Sequence, residues 1–146
     1  MNISAKQGEI LTCIENSTLY VICNPINCEG VINTALSREI RYFYPKEFKC
    51  YFNICKEHSD SLFGKCQMFK IESNIYVANM FCQADGVINF SCFEKVMMIL
   101  KKKLIKYPKS DKITIRVPAV KRDLQKVTNI VNEIFSDTVL NIEIYY

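Results

Sequence analysis

The stretch that decides the fold reads Leu19-Tyr-Val-Ile-Cys23-Asn-Pro-Ile-Asn27-Cys-Glu-Gly30-Val31. Its first five residues form a continuous apolar run of strand formers, which is typical of a strand buried on both faces. Apolar residues then recur at helical spacing over residues 34–43, so a helix follows the loop. A buried strand, a glycine-containing loop and a helix in succession predict an α/β fold.

The same alternation continues outward from this stretch. It predicts further helices at 46–57, 90–106 and 123–135, and further strands at 64–71, 75–82, 113–117 and 139–146. Pro45 is expected to stop the first helix. This order predicts one domain over residues 1–146, a three-layer α/β/α sandwich around a mixed, mostly parallel sheet.

Charge and length narrow the class of protein. The 146 residues suffice to bury a core without metal or disulfides, and the net charge is only +4. Lys101, Lys102, Lys103 and Lys106 lie close together, and we interpret them as the solvated end of a helix. A nucleic-acid binder usually has a stronger basic footprint, so nucleic acid is not the favoured partner. A weakly positive surface suits an anionic small ligand.

Cysteine usage indicates a reduced, cytoplasmic protein. The N-terminal residues lack the apolar region of a signal peptide, and no apolar run approaches the roughly 20 residues that cross a membrane. No pair of cysteines has metal-ligand spacing, and the chain has a single histidine, His58. We therefore expect no metal and no cofactor. The cysteines are expected to be small core residues: Cys13, Cys23, Cys28, Cys50, Cys55, Cys66, Cys82 and Cys92.

Ligands of such sheets bind outside the carboxyl ends of the strands, which makes segments 8–10, 24–31, 79–86 and 118–123 candidates. The second segment is the densest, because Asn24, Asn27 and Gly30 can hydrogen-bond hydroxyls or phosphate oxygens beside a helix N-terminus. The alternative is that both asparagines cap the turn and the helix.

Covalent catalysis finds little support. There is no G-x-S-x-G motif, and a Cys–His pair would need His58, which lies in a polar segment and is expected to be exposed. The carboxylates Glu9, Glu29, Asp85 and Asp123 fall at or near strand ends. Each could act as a general base if partly buried, or serve only as a cap or a solvated charge.

Several short motifs follow one another in a recognisable order. Gly8-Glu9-Ile10 is the first of these motifs. The glycine-containing loop after the strand at 19–23, called the first loop, is followed by Thr34-Ala-Leu36. The middle contains Tyr44-Pro-Lys-Glu-Phe-Lys-Cys-Tyr51, Cys55-Lys56, Leu62-Phe-Gly-Lys-Cys-Gln67 and Val77-Ala-Asn-Met-Phe-Cys-Gln83. Phe93-Glu94, Val117-Pro118, Asp123-Leu124 and Ile142-Glu-Ile-Tyr145 complete the series. Together they resemble the macrodomain family, specifically the branch of ADP-ribose 1''-phosphate phosphatases and hydrolases that remove terminal ADP-ribose from protein glutamates.

The resemblance spans nearly the whole chain and implies roles for individual residues. Glu9 would receive the adenine amino group in place of the usual Asp, and Asn27 would face the distal ribose. Gly30 and Val31 would begin the loop along the diphosphate. The implied ligand-binding residues are Gly8, Glu9, Ile10, Asn24, Asn27, Gly30, Val31, Asn79, Phe81, Gln83, Pro118, Ala119, Val120, Lys121, Arg122 and Tyr145.

Two departures from the family pattern separate this chain from ordinary members. Ile32 and Asn33 stand where the first loop commonly has glycines. The second loop is reduced to Ala119-Val-Lys-Arg122 and has no glycine, so backbone N–H groups cannot wrap a diphosphate in the usual way. Lys121 and Arg122 either compensate with charge or only solubilise a helix start.

The departures also bear on catalysis. The hydrolases that the chain resembles use a Lys after the middle strand and an Asp in the second loop, and neither has a clear counterpart here. Asn27 and Asp123 are the remaining catalytic candidates, and whether the chain is an enzyme stays open.

The expected ligand is ADP-ribose, a nucleotide derived from it, or an ADP-ribosylated protein. If the chain is an enzyme, the expected activity is that of an ADP-ribosyl hydrolase or an ADP-ribose 1''-phosphate phosphatase. The alternative is a catalytically inactive, divergent macrodomain that binds a different signalling nucleotide or a protein partner.

Overall fold

Eight strands and four helices follow one another along residues 2–146, the part of the chain that the computed structural model describes. The strands are β1 (Asn2–Lys6), β2 (Leu19–Ile26), β3 (Cys66–Glu72), β4 (Ile75–Phe81), β5 (Gln83–Ala84), β6 (Val87–Ile88), β7 (Ile113–Pro118) and β8 (Asn141–Tyr145). The helices are α1 (Ala35–Phe43), α2 (Pro45–His58), α3 (Phe90–Leu104) and α4 (Leu124–Phe135).

Six of these strands form one sheet in the order β1-β8-β7-β2-β4-β3. Every neighbouring pair is parallel except β3 with β4, which is antiparallel. The prediction of a mixed, mostly parallel sheet is therefore confirmed. Because five strands run in the same direction, the carboxyl ends of β1, β8, β7, β2 and β4 meet at one edge.

The helices cover both faces of the sheet, as the predicted three-layer α/β/α sandwich requires. Successive residues of β2 point to opposite faces. Val21 and Cys23 pack in the core beneath α3 and α4, whereas Tyr20 and Ile22 pack in the core beneath α1. All four side chains are 3% exposed or less, which explains why the strand reads as continuously apolar.

The predicted helices and longer strands are present, with bounds that shift by a few residues. Thr34 accepts a hydrogen bond from the backbone N–H of Ser37 and so caps α1 rather than belonging to it. Pro45 does more than separate two helices, because it stands at the first position of α2, where its missing N–H costs nothing.

The sequence prediction did not include β1 or the β5–β6 hairpin. Strand β1 is short, mostly exposed and paired only with β8 at the sheet edge, so it lacks the apolar pattern of the inner strands. The hairpin has two residues per strand. Its turn places Asp85 at φ +52° and Gly86 at φ +75°, the left-handed conformations that an Asp-Gly turn supplies.

All eight cysteines are free thiols, and four of them are buried in the core as expected. The expectation is wrong for Cys13 and Cys50, which are exposed. Within residues 2–146 there is no group of three or more side chains placed to hold a metal ion. None of the helices in this range has the length and apolar content needed to span a membrane.

Candidate functional site

The four candidate segments emerge from the same edge of the sheet. Gly8 donates its backbone N–H to the carbonyl of Tyr146 at 3.2 Å, and Ala119 donates to the carbonyl of Tyr145 at 2.8 Å. The first loop reaches the segment after β4 through Asn33, whose side-chain amide donates to Gln83. The topology therefore brings together residues that are more than one hundred positions apart in the chain.

The first loop, residues 27–33, is built around the side chain of Asn27. Its Oδ1 accepts the backbone N–H groups of Glu29 at 3.0 Å and Val31 at 3.2 Å, and its Nδ2 donates to the carbonyl of Val31 at 2.7 Å. The hydroxyl of Tyr51 on α2 also donates to Oδ1 at 3.0 Å. Burial raises the pKa of Tyr51, which keeps this hydroxyl protonated as a donor.

These contacts give Asn27 a role inside the loop, and its expected role toward a ligand stays a prediction. The side chain is 3% exposed and has bonded its oxygen to the loop itself, so it does not face a ligand in this conformation. Two loop N–H groups, those of Glu29 and Val31, also point inward to Asn27 rather than outward to an anion. The alternative interpretation, in which Asn27 organises the turn, agrees with the geometry.

Gly30 is the one glycine of the first loop, and the loop conformation depends on it. Its φ of +77° lies in the left-handed region that glycine adopts without strain. A Cβ at this position would lie 3.4 Å from the ring of Phe52 and 3.5 Å from the Cβ of Cys55, both on α2. The loop therefore packs closely onto α2.

A buried polar network lies behind the loop. Asn24 donates to Asn79 at 3.0 Å and to Ser37 at 3.3 Å, and Asn79 donates to Gln67 at 3.2 Å. Asn24 Oδ1 is buried and has no partner among the described residues, which is an unfavourable arrangement. The network borders a cavity of about 10 Å³, room for one water-sized group and no more. Asn24 and Asn79 thus belong to the inner wall, beside a space too small for a nucleotide.

Arg116 is a central residue of this region that the sequence analysis did not single out. It lies on β7, is 1% exposed, and its guanidinium stacks 4.5 Å from the ring of Tyr20 and 5.0 Å from that of Tyr145. It donates to Glu143 at 3.0 Å and to the carbonyl of Ile10 at 2.9 Å. Further bonds reach the carbonyls of Thr12 and Cys13.

Arg116 consequently fixes the segment that carries Glu9. The loop between β1 and β2 has no regular structure over residues 7–18, and the Arg116 side chain satisfies three of its carbonyl groups. The sequence contains a signal for the role of Arg116. A charged residue inside the apolar strand pattern of residues 113–117 requires a buried partner. Glu143, between Ile142 and Ile144, is that partner.

Glu143 is held in its charged form. Burial raises the pKa of this carboxyl, but hydrogen bonds from Lys6 and Arg116 lower it more, so its net pKa lies below the ordinary value of 4.5. Its charge compensates Arg116 and, through Lys6, ties β1 to β8.

The second loop is short, as its sequence predicts. Strand β7 ends at Pro118, and the chain enters a single helical turn, Lys121–Asp123, after two residues. Lys121 is exposed, and Arg122 pairs with its neighbour Asp123 at 3.2 Å with 82% of its side chain exposed. Asp123, whose side chain is 21% exposed, is therefore paired with a cation.

The predicted site residues fall into two classes of exposure. A buried class forms the wall and its support: Ile10, Asn24, Asn27, Asn79, Phe81, Gln83 and Tyr145. An exposed or half-exposed class forms the outer surface of the edge: Gly8, Glu9, Gly30, Val31, Pro118, Ala119, Val120, Lys121 and Arg122. Only the second class is free to touch a ligand in this conformation. Of the other candidates, His58 is exposed at the end of α2, as expected, and Glu29 and Asp85 are exposed.

No protein-family model matches the sequence, and no curated protein matches it at a significant level. Solved structures, however, share its architecture. A macrodomain protein from Streptomyces coelicolor superimposes with a TM-score of 0.81 at 12% identity, over 99% of both chains. The macrodomain of Thermus aquaticus DarG gives a TM-score of 0.73 at 14% identity, over 99% of this chain and 97% of that one.

The chain has the macrodomain fold. A further structure with this fold, Thermosipho africanus DarTG in complex with ADP-ribose, superimposes with a TM-score of 0.69 at 16% identity. It matches over 99% of this chain and 41% of that chain. At these identities the comparison establishes the fold of the chain, and the expected resemblance to macrodomains is confirmed at that level.

Proposed function

We propose that this macrodomain-fold chain binds ADP-ribose, or a nucleotide derived from it, across the carboxyl-end edge of its sheet. The observation that carries the proposal is the convergence of Glu9, the first loop and the turn of Lys121 and Arg122 on that edge. Ligands of open α/β sheets bind there. The Thermosipho africanus DarTG structure, which has the same fold, is a complex with ADP-ribose.

Each part of the edge offers a group suited to part of such a nucleotide. The carboxylate of Glu9 is exposed, and it would accept a hydrogen bond from the adenine amino group. Lys121 and Arg122 would attract the diphosphate, taking over the task that glycine-rich loops perform through backbone N–H groups. Val31, which is 58% exposed, would cover the distal ribose.

The same geometry favours weak, salt-sensitive binding. Two N–H groups of the first loop are bonded to Asn27, and the second loop is too short to fold over a ligand. The diphosphate would therefore be held by exposed side-chain charges, whose attraction is screened by salt. In this mode the ligand would lie on an open surface rather than in an enclosed pocket.

Calorimetric titration with ADP-ribose tests the proposal. We expect saturable heat at low salt, and a loss of at least tenfold in affinity for Glu9→Ala. The matched control is Glu15→Ala, which removes the same charge from an exposed position elsewhere in the same loop. An absence of heat at millimolar ligand, or equal losses for both variants, would contradict the proposal.

We further propose that the chain binds this ligand without hydrolysing it at a useful rate. Asn27 is buried and fully engaged in the loop, and Asp123 pairs with Arg122 at the surface. A chain of this kind would act by binding a signalling nucleotide or a modified partner. Release of ADP-ribose from a glutamate-modified protein during a single-turnover incubation would overturn this part of the proposal, without affecting the binding result.

A further inference from the structure

Six lysines collect at the end of the molecule opposite the candidate nucleotide edge. Helix α3 ends at Leu104 and β7 begins at Ile113, so the connection between them lies beside the amino ends of the strands. The lysines occupy the last turn of α3 and this connection, and we name them the lysine end: Lys101, Lys102, Lys103, Lys106, Lys109 and Lys112.

The stretch that holds the lysine end is strongly basic. Residues 101–112 contain six lysines and one acidic residue, Asp111, which gives this stretch a net charge of +5. This exceeds the net charge of the whole chain, which is +4, so the end has a local positive potential.

Most of this charge is not used inside the protein. Lys101 pairs with Asp137 at 2.7 Å, whereas the other five lysines are exposed and form no ion pair among residues 2–146. The dipole of α3 favours cations in its last turn. The helix dipole does not explain Lys109 and Lys112, because both lie beyond the end of α3. They stand at the start and the end of a tight 3₁₀ turn, in which side chains three residues apart point to the same side.

The surface beside these charges is partly apolar. Tyr107, in the middle of the group, is 49% exposed, and Ile105 is 48% exposed. Next to Ile105 is a groove of about 270 Å³, whose lining includes Thr138, Val139 and the paired Lys101 and Asp137.

On the sequence alone, nucleic acid is not the favoured partner, and four of these lysines are interpreted as a solvated helix end. In the structure, five of the six are exposed without an ion pair among residues 2–146, and they lie near the exposed ring of Tyr107. We propose that the lysine end binds the phosphate backbone of single-stranded nucleic acid without regard to base sequence. Lysine binds phosphate as a point charge, and an exposed aromatic ring among lysines provides a surface on which a base can stack. A protein partner is less well matched, because lysine is depleted at protein interfaces. A membrane is also less well matched, because the apolar stripe of α3 is buried and unable to enter lipid.

Fluorescence anisotropy with a labelled oligothymidine, at several salt concentrations, measures the proposed interaction. We expect log affinity to fall linearly with log salt, with a slope of about −2 to −3.5, since each neutralised phosphate of a single strand contributes about −0.7. The triple variant K102E/K103E/K106E should lose at least thirtyfold in affinity at low salt.

A matched control separates the lysine end from net charge. The triple variant K46E/K49E/K56E makes the same charge change on exposed positions of α2 and should retain most of the affinity. Equal losses in the two triple variants, or a binding constant that does not change with salt, would overturn the proposal. Circular dichroism of the K102E/K103E/K106E protein shows whether it remains folded, which keeps this result independent of the proposed function.

Two further measurements test the nature of the partner. Tyr107→Ala should weaken binding to the single strand by about fivefold and leave a duplex of equal length unaffected, because stacking requires unpaired bases. Binding to vesicles containing anionic lipid, without binding to oligothymidine, would contradict the assignment to nucleic acid.

Discussion

Arg116 is the residue on which the order of the candidate edge most depends. Its guanidinium joins β7, β8 and the loop between β1 and β2, and it is almost fully buried. Removing one partner of a buried ion pair costs about 3–5 kcal/mol. Lys6 would still compensate Glu143, so we expect Arg116→Met to lower the free energy of unfolding by about 3 kcal/mol, the low end of that range.

The conservative variant distinguishes hydrogen bonding from charge. Arg116→Lys keeps a cation but loses the planar fork that reaches several carbonyls at once. We expect it to recover part of the stability, as measured by urea denaturation, but to leave the segment carrying Glu9 less ordered. Amide hydrogen exchange over residues 8–13 reports that order. Unchanged exchange in Arg116→Lys would show that charge alone fixes the segment.

The lowered pKa of Glu143 gives the protein a defined acid response. A carboxyl whose pKa is lower in the folded state stabilises the fold above its unfolded pKa, near 4.5, and this stabilisation disappears as the pH falls through the folded value. We expect the stability difference between wild type and Glu143→Gln to shrink below about pH 4.5. The control Glu15→Gln, at an exposed position, should differ little from wild type throughout.

At the scale of single elements, the first loop is a unit held by Asn27 and Gly30. Asn27→Ala leaves two partly buried loop N–H groups without their acceptor, whereas the Tyr51 hydroxyl keeps the backbone carbonyl of Asn27 as a partner. We expect a loss of about 2–3 kcal/mol by denaturation and faster amide exchange at Glu29 and Val31. Tyr51→Phe removes the hydroxyl that donates to Asn27 and should cost about 1 kcal/mol.

The contribution of the loop to stability can be isolated with an unrelated asparagine. Asn129 lies exposed on α4 and pairs with Gln125 one turn away. Asn129→Ala should change stability by less than about 0.5 kcal/mol. A loss in Asn27→Ala no larger than this would contradict the view that Asn27 organises the loop.

Gly30 allows loop conformation and ligand binding to be separated. Gly30→Ala and Gly64→Ala both place a Cβ at positive φ, +77° and +86°, and neither Cβ would approach a neighbouring atom closer than 3.4 Å. We expect similar losses of about 1–2 kcal/mol in stability. Only Gly30→Ala should also weaken ADP-ribose binding in calorimetry. Equal affinities in the two variants would remove Gly30 from the site.

The elements differ in how well the sequence predicts them. Strand β2 and helix α3 are long, and their apolar residues follow the period of a buried strand and an amphipathic helix, so their existence follows from pattern. Strand β1 and the β5–β6 hairpin are short and exposed, and only their pairing partners make them strands.

The candidate site is less predictable than the fold for a physical reason. Topology places the strand ends at one edge, and the order of the motifs is enough to anticipate this. The direction of a side chain depends on local hydrogen bonds, however, and Asn27 turns inward because Glu29, Val31 and Tyr51 supply three donors. Long-range pairs such as Arg116 with Glu143 leave only a weak trace in sequence, a charge inside an apolar strand.

At the scale of the whole molecule, cysteine accessibility tests the packing. Cys13 and Cys50 are exposed, whereas Cys23, Cys55, Cys82 and Cys92 are buried. Burial raises the pKa of Cys66 to about 11 and that of Cys82 to about 12, so these thiols are protonated and unreactive at neutral pH. In a titration with a thiol reagent, two thiols should react rapidly in the native protein, and all eight should react rapidly in urea. Rapid reaction of the four buried thiols would contradict the packing of both helical layers.

The two ends of the sheet thus offer different chemistry to anionic partners. The carboxyl-end edge carries Glu9 and the short second loop. The opposite end carries five exposed lysines that form no ion pair within the described residues 2–146. A ligand titration followed residue by residue therefore reports which end is occupied, because backbone amides sense a bound nucleotide locally.

The most direct test of the central claim is a two-dimensional amide NMR titration of the ¹⁵N-labelled protein with ADP-ribose. The proposed function predicts saturable shifts at Gly8, Glu9, Val31 and Lys121, with residues 101–112 unchanged. A spectrum that stays unchanged at millimolar ADP-ribose, or one in which shifts are confined to residues 101–112, would contradict binding at the carboxyl-end edge.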